Sequence, residues 1–515
     1  MSVKAYDWLA HHARYAPDRT AAIDLHTGRR FSYVQFSARV GRLARYLRDG
    51  LGVARGDRVG ILAPNTTDHF ELQFACGRLG AVFLPLNWRL TVPELEFIVN
   101  DAGPKVFVHD DAFAEAAVEL KARCGIAHLV DINGDNRPSA YETGIAEAAG
   151  EVEPVDVTHA DLSTVMYTSG TTGLPKGAMI THGMTFWNAV NLGPPALVTP
   201  KTVHLSVLPL FHTGGLNCYS NVVFHVGGTV AVMRGFDPGR ALSLLMDRDY
   251  GFTHFFGVPA NFLFMSQMPE FDEADLSHVS VCGVGGAPCA LPILETWAAK
   301  GLPLQQGYGM TETSPAAIFI DPERAVEKAG SCGLPVLHTE IRIVDENGVD
   351  VTDPGQIGEL WIKGPNITPG YWNRPEATAE AIVDGWLHTG DAARRDAEGY
   401  YFIVDRWKDM YISGGENVYP AEVENVIYQL EAVAEVAVIG IPDARWGEVG
   451  LAVIAVKPDR MLTEADVMRH CGGRLARFKT PKSVRFVEAL PRNATGKVLK
   501  RDLRDAVAAD SQAAE

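Results

Sequence analysis

The sequence predicts an α/β protein: a large N-terminal domain of parallel α/β layers carrying a β-rich subdomain, followed by a small α+β C-terminal domain. Three observations carry this prediction. Short apolar runs rich in Val, Ile and Phe alternate with stretches of helical period up to Gly333, as strands sandwiched between helices do. After Gly333 apolar and polar residues take turns, the mark of antiparallel strands with one solvated face. Beyond Asp405 the charge balance changes: residues 406–515 hold 16 Lys/Arg and 16 Asp/Glu, so residues 1–405 carry the whole net charge of −17.

Taken in order, "DRVGILAP" (57–64) is an apolar run of strand length, followed by an amphipathic helix near 68–79 and a second strand, "AVFLPL" (81–86). The alternation returns at "GTVAVM" (228–233), "THFFG" (253–257), "VSVCGVGG" (279–286) and "LPLQQGYG" (302–309). In the β-rich stretch, about 335–405, the strands are "TEIRIVD", "IGELWIKG" and "GYYFIVD", with a turn at Glu346-Asn347-Gly348. The expected domains are therefore 1–405 and 406–515. Within the second, residues 469–504 hold 11 basic and 2 acidic residues. Such a run is an ordinary solvated face, or the underside of a lid over a polyanionic substrate. The Ala-rich tail after Ala506 reads as a frayed end.

Composition narrows the function classes. With 47% hydrophobic and 21% charged residues the chain is globular, and its acidity argues against nucleic acid as a partner. Seven scattered cysteines, odd in number and without a C-x-x-C pair, fit reduced thiols in a cytoplasmic protein better than disulfides or zinc. The start "MSVKAYDWLA" lacks the layout of a signal peptide, and no run of eighteen apolar residues is long enough for a transmembrane segment. Peripheral membrane contact and a homodimer are both left open.

The chemistry lies in a few segments. "YTSGTTGLPKG" (167–177) packs hydroxyls, glycines and a lysine together without the G-x-x-x-x-G-K-[ST] spacing of a Walker loop, so an anion is expected on a different frame. "GVGGAP" (283–288) allows close backbone approach to a flat ligand, although a plain glycine turn has the same sequence. "QGYGMTE" (306–312) sets Tyr308 and Glu312 just past a strand end, the usual place for ligands in open α/β sheets. "WLHTGD" (386–391) ends on Asp391. "VDRWKDMYISGGENVYP" (404–420) crosses the charge boundary, and "PRNATGKVLK" (491–500) puts Lys497 in a glycine turn within the basic run.

In this order and register, the segments resemble the AMP-forming acyl-CoA synthetases of the adenylate-forming superfamily, which also holds firefly luciferase and the adenylation domains of peptide synthetases. The resemblance runs from about residue 5 to residue 504. It implies an acid–CoA ligase that converts ATP and a carboxylic acid to acyl-AMP and pyrophosphate, then transfers the acyl group to CoA. It also implies a mobile C-terminal domain with a hinge at Lys408. Thr168, Ser169, Gly170, Thr171, Thr172, Gly173 and Lys176 would bind the phosphates; Thr168 and Glu312 would hold Mg²⁺. Gly286, Ala287 and Tyr308, with Gly307, Gly309 and Thr311 around them, would hold the adenine. Asp391 and Arg406 would take the ribose, and Lys497 would meet the carboxylate and α-phosphate.

For the second step the resemblance brings in Gly414 and Gly415 beside the pantetheine arm, and Trp446, Lys482, Phe478 and Arg89 at the CoA nucleotide. Plain packing is an equal reading of Trp446, and Thr480 stands where a relative has arginine. His212 would line the carboxylate end of the acid pocket, with Thr213, Gly214, Gly215 and Gly309 leaving room for a ring or an alkyl chain. The texture is that of bacterial fatty-acyl and feruloyl-type aryl ligases alike. Two other readings stand beside the ligase: an enzyme that loads a carrier-protein pantetheine, and a non-catalytic binding protein on the same fold.

Overall fold

The structure is a computed structural model that describes residues 3–132, 138–150, 152–168, 175–406, 409–413, 416–443, 445–472, 474–492 and 498–513; for 405, 406, 416, 417 and 508–513 only the backbone is described. The α/β class is borne out. One sheet of nine strands runs in the order Leu334–Pro335, Ala316–Phe319, Leu304–Gly309, Val281–Val284, His254–Gly257, Val203–Ser206, Thr229–Val232, Thr20–Asp24, Arg30–Ser32. From Leu304–Gly309 to Thr20–Asp24 all neighbours are parallel. Val281–Val284 and His254–Gly257 are buried along their whole length, which is why they read as unbroken apolar runs.

A second sheet orders His128–Ile132, Val106–Asp110, Arg58–Leu62, Val82–Pro85, Leu162–Thr168 and Lys176–Thr181. Its last pair is an antiparallel hairpin closing on Thr168 opposite Lys176. The helix Val92–Ala102 covers this sheet. It starts at Thr91, whose N–H meets the Glu94 carboxylate in a capping box, with Pro93 in the first turn. It stops at Gly103, whose φ of 57° lies in the left-handed region that glycine enters freely.

The β-rich stretch is antiparallel: Glu340–Val344 pairs with Gly358–Lys363, that strand with Trp386–Arg395, and the last with Tyr401–Arg406. The turn at 346–348 forms, with the Asp345 carboxylate accepting the N–H groups of Asn347 and Val349. It leads back only to a single bridge, Val344 to Asp350, and the ladder proper is made by Gly358–Lys363. Pro354, which has no N–H to donate, stands between the two.

Residues 411–513 build a further sheet. Gly447–Val456 pairs antiparallel with Val433–Asp443 and parallel with Ser483–Val487. Tyr411, Val423, Val436, Ile454 and Val467 share a core there, apart from the clusters of the larger sheets. All seven cysteines are free thiols, and five are buried. Among the described residues no helix is long and apolar enough to cross a membrane.

Candidate active site

Three sheets deliver side chains to one cavity of about 1470 Å³. The six-stranded sheet supplies Thr168 and Lys176, the closing pair of its hairpin, with the Thr168 hydroxyl donating to the Lys176 carbonyl at 3.4 Å. Residues 169–174, which join them, lie outside the described residues, and with them Ser169, Gly170, Thr171, Thr172 and Gly173.

The nine-stranded sheet supplies Tyr308, from Leu304–Gly309, and Glu312, from the short turn Thr311–Thr313 behind it. Glu312 is only 5% exposed, and its Oε1 accepts the Tyr371 hydroxyl at 2.7 Å. The sheet brings glycine where nothing else fits: a Cβ on Gly309 would stand 1.7 Å from the Pro315 carbonyl oxygen. Gly286 has φ +79° at the rim, and Gly307 and Thr311 also line the cavity. Ala287 is not among the lining residues.

From the β-rich sheet comes Asp391, to which the Tyr308 hydroxyl donates at 2.5 Å. Asp391 is buried, and its neighbours Thr389 and Gly390 form the lining. In the ladder Asp391 stands directly opposite Arg406, so the two expected ribose residues are register partners. A strap at 368–372 joins the β-rich part to the others. Thr368 donates its N–H to the Glu312 carbonyl at 2.8 Å and its hydroxyl to the Met179 carbonyl at 2.7 Å. The Met179 N–H reaches the Gly370 carbonyl, and the Trp372 N–H the Gly177 carbonyl.

Part of the cavity lining is aromatic. Trp88 and Phe211 flank Arg89, whose guanidinium lies 4.5 Å from the first ring centre and 5.8 Å from the second. Burial lowers the pKa of that guanidinium. Phe236 and Phe256 extend the wall. His212 lines the cavity with Nδ1 accepting the Gly214 N–H at 3.1 Å, and the Thr213 hydroxyl is buried beside it without a partner among the described residues.

One expectation is corrected here. Gly214, not Gly215, lines the cavity: a Cβ on Gly215 would meet the Pro209 carbonyl oxygen at 2.3 Å, so its hydrogen is turned toward backbone. Of the two readings of Trp446, burial in a core does not fit: it is 47% exposed, with Arg445 over its ring at 4.9 Å. Trp446 and Lys482 meet around Asp443, whose carboxylate accepts the Trp446 N–H and pairs with the lysine ammonium. Neither lines the cavity. Lys408, Gly414, Gly415 and Lys497 lie outside the described residues, as does the side chain of Arg406. The sequence assigned no role to Tyr371, Trp88 or Phe211. For Tyr371 the only signal is the Pro-Gly pair before it, which marks a constrained strap.

Comparison with known proteins gives the family. The family described as AMP-binding enzyme matches residues 9–372, and AMP-binding enzyme C-terminal domain matches residues 422–497. The chain is 42% identical to feruloyl-CoA synthase of an Amycolatopsis species over 498 residues, 96% of this chain and 98% of that one. It is 38% identical to the long-chain-fatty-acid–CoA ligase FadD13 of Mycobacterium tuberculosis over 508 residues, 98% of each. ATP-bound MatB of Rhodopseudomonas palustris has the same fold, with a TM-score of 0.89 at 34% identity over 97% of this chain and 98% of that one.

Proposed function

Since this chain belongs to the AMP-binding enzyme family and is an AMP-forming acid–CoA ligase, we propose how its residues divide the two half-reactions and that its acid is aromatic. In the first step a carboxylate oxygen attacks the α-phosphorus of ATP, the bond to the β-phosphate oxygen breaks, and pyrophosphate leaves. The hairpin pair Thr168 and Lys176, with Ser169, Gly170, Thr171, Thr172 and Gly173 between them, binds the leaving phosphates. Donors fixed in advance at that point stabilise the charge as it moves. Tyr308 lies beside the adenine with Gly286, and its hydroxyl orients Asp391 so that the carboxylate can accept from the ribose hydroxyls. Arg406 shares the ribose, and Lys497 bridges the acid and the α-phosphate.

Thr168 and Glu312 are the residues that would hold Mg²⁺. The donors fit that cation: one buried carboxylate and one hydroxyl, both oxygen, with the remaining positions left to phosphate and water. Among the described residues no cluster of three or more His, Cys, Asp or Glu would cage a metal without them. When bound, the cation offsets negative charge on the phosphate oxygens.

In the second step the CoA thiolate attacks the acyl carbon and AMP departs. The body, residues 1–405, keeps the acyl-AMP while the lid, 406–515, turns about Lys408 to exchange Lys497 for the Gly414-Gly415 loop. Trp446 and Lys482, exposed on the lid, suit the CoA nucleotide, one by stacking and one by charge.

The observation that carries the choice of acid is the aromatic part of the lining, to which Trp88, Phe211, Phe236 and Phe256 all contribute. A flat ring with a short unsaturated arm packs against such side chains by face and edge contact. The likeness to a feruloyl-CoA synthase supports it; the likeness to a fatty-acid ligase favours a medium or long alkyl chain as the second reading. The test is AMP release with CoA across hydroxycinnamates, benzoates and saturated acids. Hydroxycinnamates should lead in kcat/KM by about tenfold, the scale of pocket discrimination; a lead for saturated chains selects the second reading.

A further inference from the structure

Tyr371 touches both charged groups proposed above to meet the cation and the phosphates. Its hydroxyl donates to Glu312 Oε1 at 2.7 Å, and the Lys176 ammonium rests 5.3 Å from the centre of its ring. The residue is held from several sides. Its own N–H is taken by the Thr378 hydroxyl at 2.9 Å, and its flanking residues are hydrogen-bonded to the strand Lys176–Thr181. The next residue, Trp372, donates its indole N–H to the Asp101 carbonyl at 3.1 Å, and the Asp101 carboxylate accepts the Tyr167 hydroxyl at 2.6 Å. The backbone of the strap is thus fixed to the same hairpin that carries Thr168 and Lys176, while the Tyr371 hydroxyl reaches the turn that carries Glu312.

A carboxylate at the end of a glutamate side chain turns about its last bond. One donor on Oε1 sets the plane and so the direction in which the other lone pairs point. An ammonium beside a carboxylate tends to pair with it, which would cover the oxygens that a cation needs. An aromatic face offers the lysine a different resting place. We infer that Tyr371 is a positioning residue of the adenylation step: its hydroxyl aims the Glu312 carboxylate at a divalent cation, and its ring holds Lys176 off that carboxylate and beside the phosphates. This rests on the roles proposed above for Glu312 and Lys176.

The experiment is calorimetric binding of ATP to the full chain over a series of Mg²⁺ concentrations, for wild type, Tyr371→Phe, Tyr371→Leu and Glu312→Gln, with thermal melting of each. Tyr371→Phe keeps the ring and should raise the Mg²⁺ concentration needed for half-maximal ATP affinity by about three- to tenfold, the scale of one hydrogen bond, with an unchanged melting temperature. In pyrophosphate exchange the same variant should raise KM for MgATP more than it lowers kcat. Tyr371→Leu should add a loss of ATP affinity that persists without Mg²⁺, because Lys176 loses its ring. If Glu312→Gln shifts the Mg²⁺ requirement and Tyr371→Phe does not, the positioning role is wrong while the role of Glu312 stands. If neither shifts it, the cation is held elsewhere and both fall. A drop in melting temperature that accounts for the lost affinity in Tyr371→Phe would make the hydroxyl a structural contact only.

Discussion

In the body that holds the cavity, Arg39 meets Glu71 at 2.8 Å with the carboxylate shut away from water, and Arg29 meets Asp68 at 2.9 Å in the same cluster. On the C-terminal sheet, Lys482 meets Asp443 with 60% of the lysine side chain exposed. The Arg39–Glu71 pair is desolvated and relies on its partners; the Lys482–Asp443 pair leaves its ammonium at the surface, where water stands in when the partner leaves. The difference suits the proposed division of labour. Thr168, Glu312, Tyr308 and Asp391 come from three sheets and must keep their places through both half-reactions. A lid that swings has to present charge and aromatic surface without being welded to anything.

Acid should separate the two regions most. Burial holds His69, His182 and His254 down at about 4 and His204 at about 3, all in the body. The C-terminal region has one histidine, His470, lowered by partial burial. The unfolded chain protonates these rings near pH 6.5 and the folded body only near 4, so their stabilisation is complete above 6.5 and is lost as the pH falls toward 4. Each should cost about 1–2 kcal/mol at pH 5. Urea midpoints at pH 7.5, 6 and 5 should fall steadily for the body; a flat midpoint would mean the rings are not held neutral.

Next in size is the buried pair. Glu71→Ala leaves Arg39 to Glu142 and takes the acceptor from the buried Tyr141 hydroxyl, and should cost about 2–4 kcal/mol in urea unfolding. A loss as small as that of a surface pair would erase the contrast between the regions.

The two neighbouring glycines give a smaller effect with a sharper reading. Gly215→Ala forces a Cβ into the Pro209 carbonyl and should cost about 1–3 kcal/mol of stability. Gly214→Ala, whose Cβ would meet the His212 ring at 3.3 Å, should leave the fold intact and narrow the range of acids accepted. If Gly215→Ala melts normally and changes acid preference, the assignment of the cavity wall is reversed.

Lys482→Ala is the smallest expected effect on stability: no shift in urea midpoint, with a raised KM for CoA and an unchanged KM for ATP. A raised KM for ATP alone would move Lys482 to the other half-reaction.

Much of the body could be read from residue order. Val281–Val284 and His254–Gly257 are runs of strand length, and burial on both faces leaves no polar alternation to blur them. The segment 167–177 stood out by composition, but not that Thr168 and Lys176 face each other across an antiparallel pair, because such pairing leaves no mark in the periodicity of either strand. Tyr371 was invisible for a different reason. Its partners Glu312 and Lys176 are far away in sequence, and only the strap's hydrogen bonds to the strand Lys176–Thr181 bring them to it. Gly215 was misplaced because the chain there winds as a wide helical turn, Gly214–Ser220, in which neither the period of a strand nor that of an α-helix tells which residue faces the cavity.

The central claim is that the body binds ATP and acid while the lid supplies Lys497 to the first step only. Lys497→Ala tests it directly when the half-reactions are timed separately, once from ATP and acid and once from supplied acyl-AMP and CoA. The account predicts that acyl-AMP formation falls by about 10²–10³-fold, the usual cost of one transition-state donor, while thioester formation from acyl-AMP stays near the wild-type rate. An equal fall in both half-reactions would contradict it.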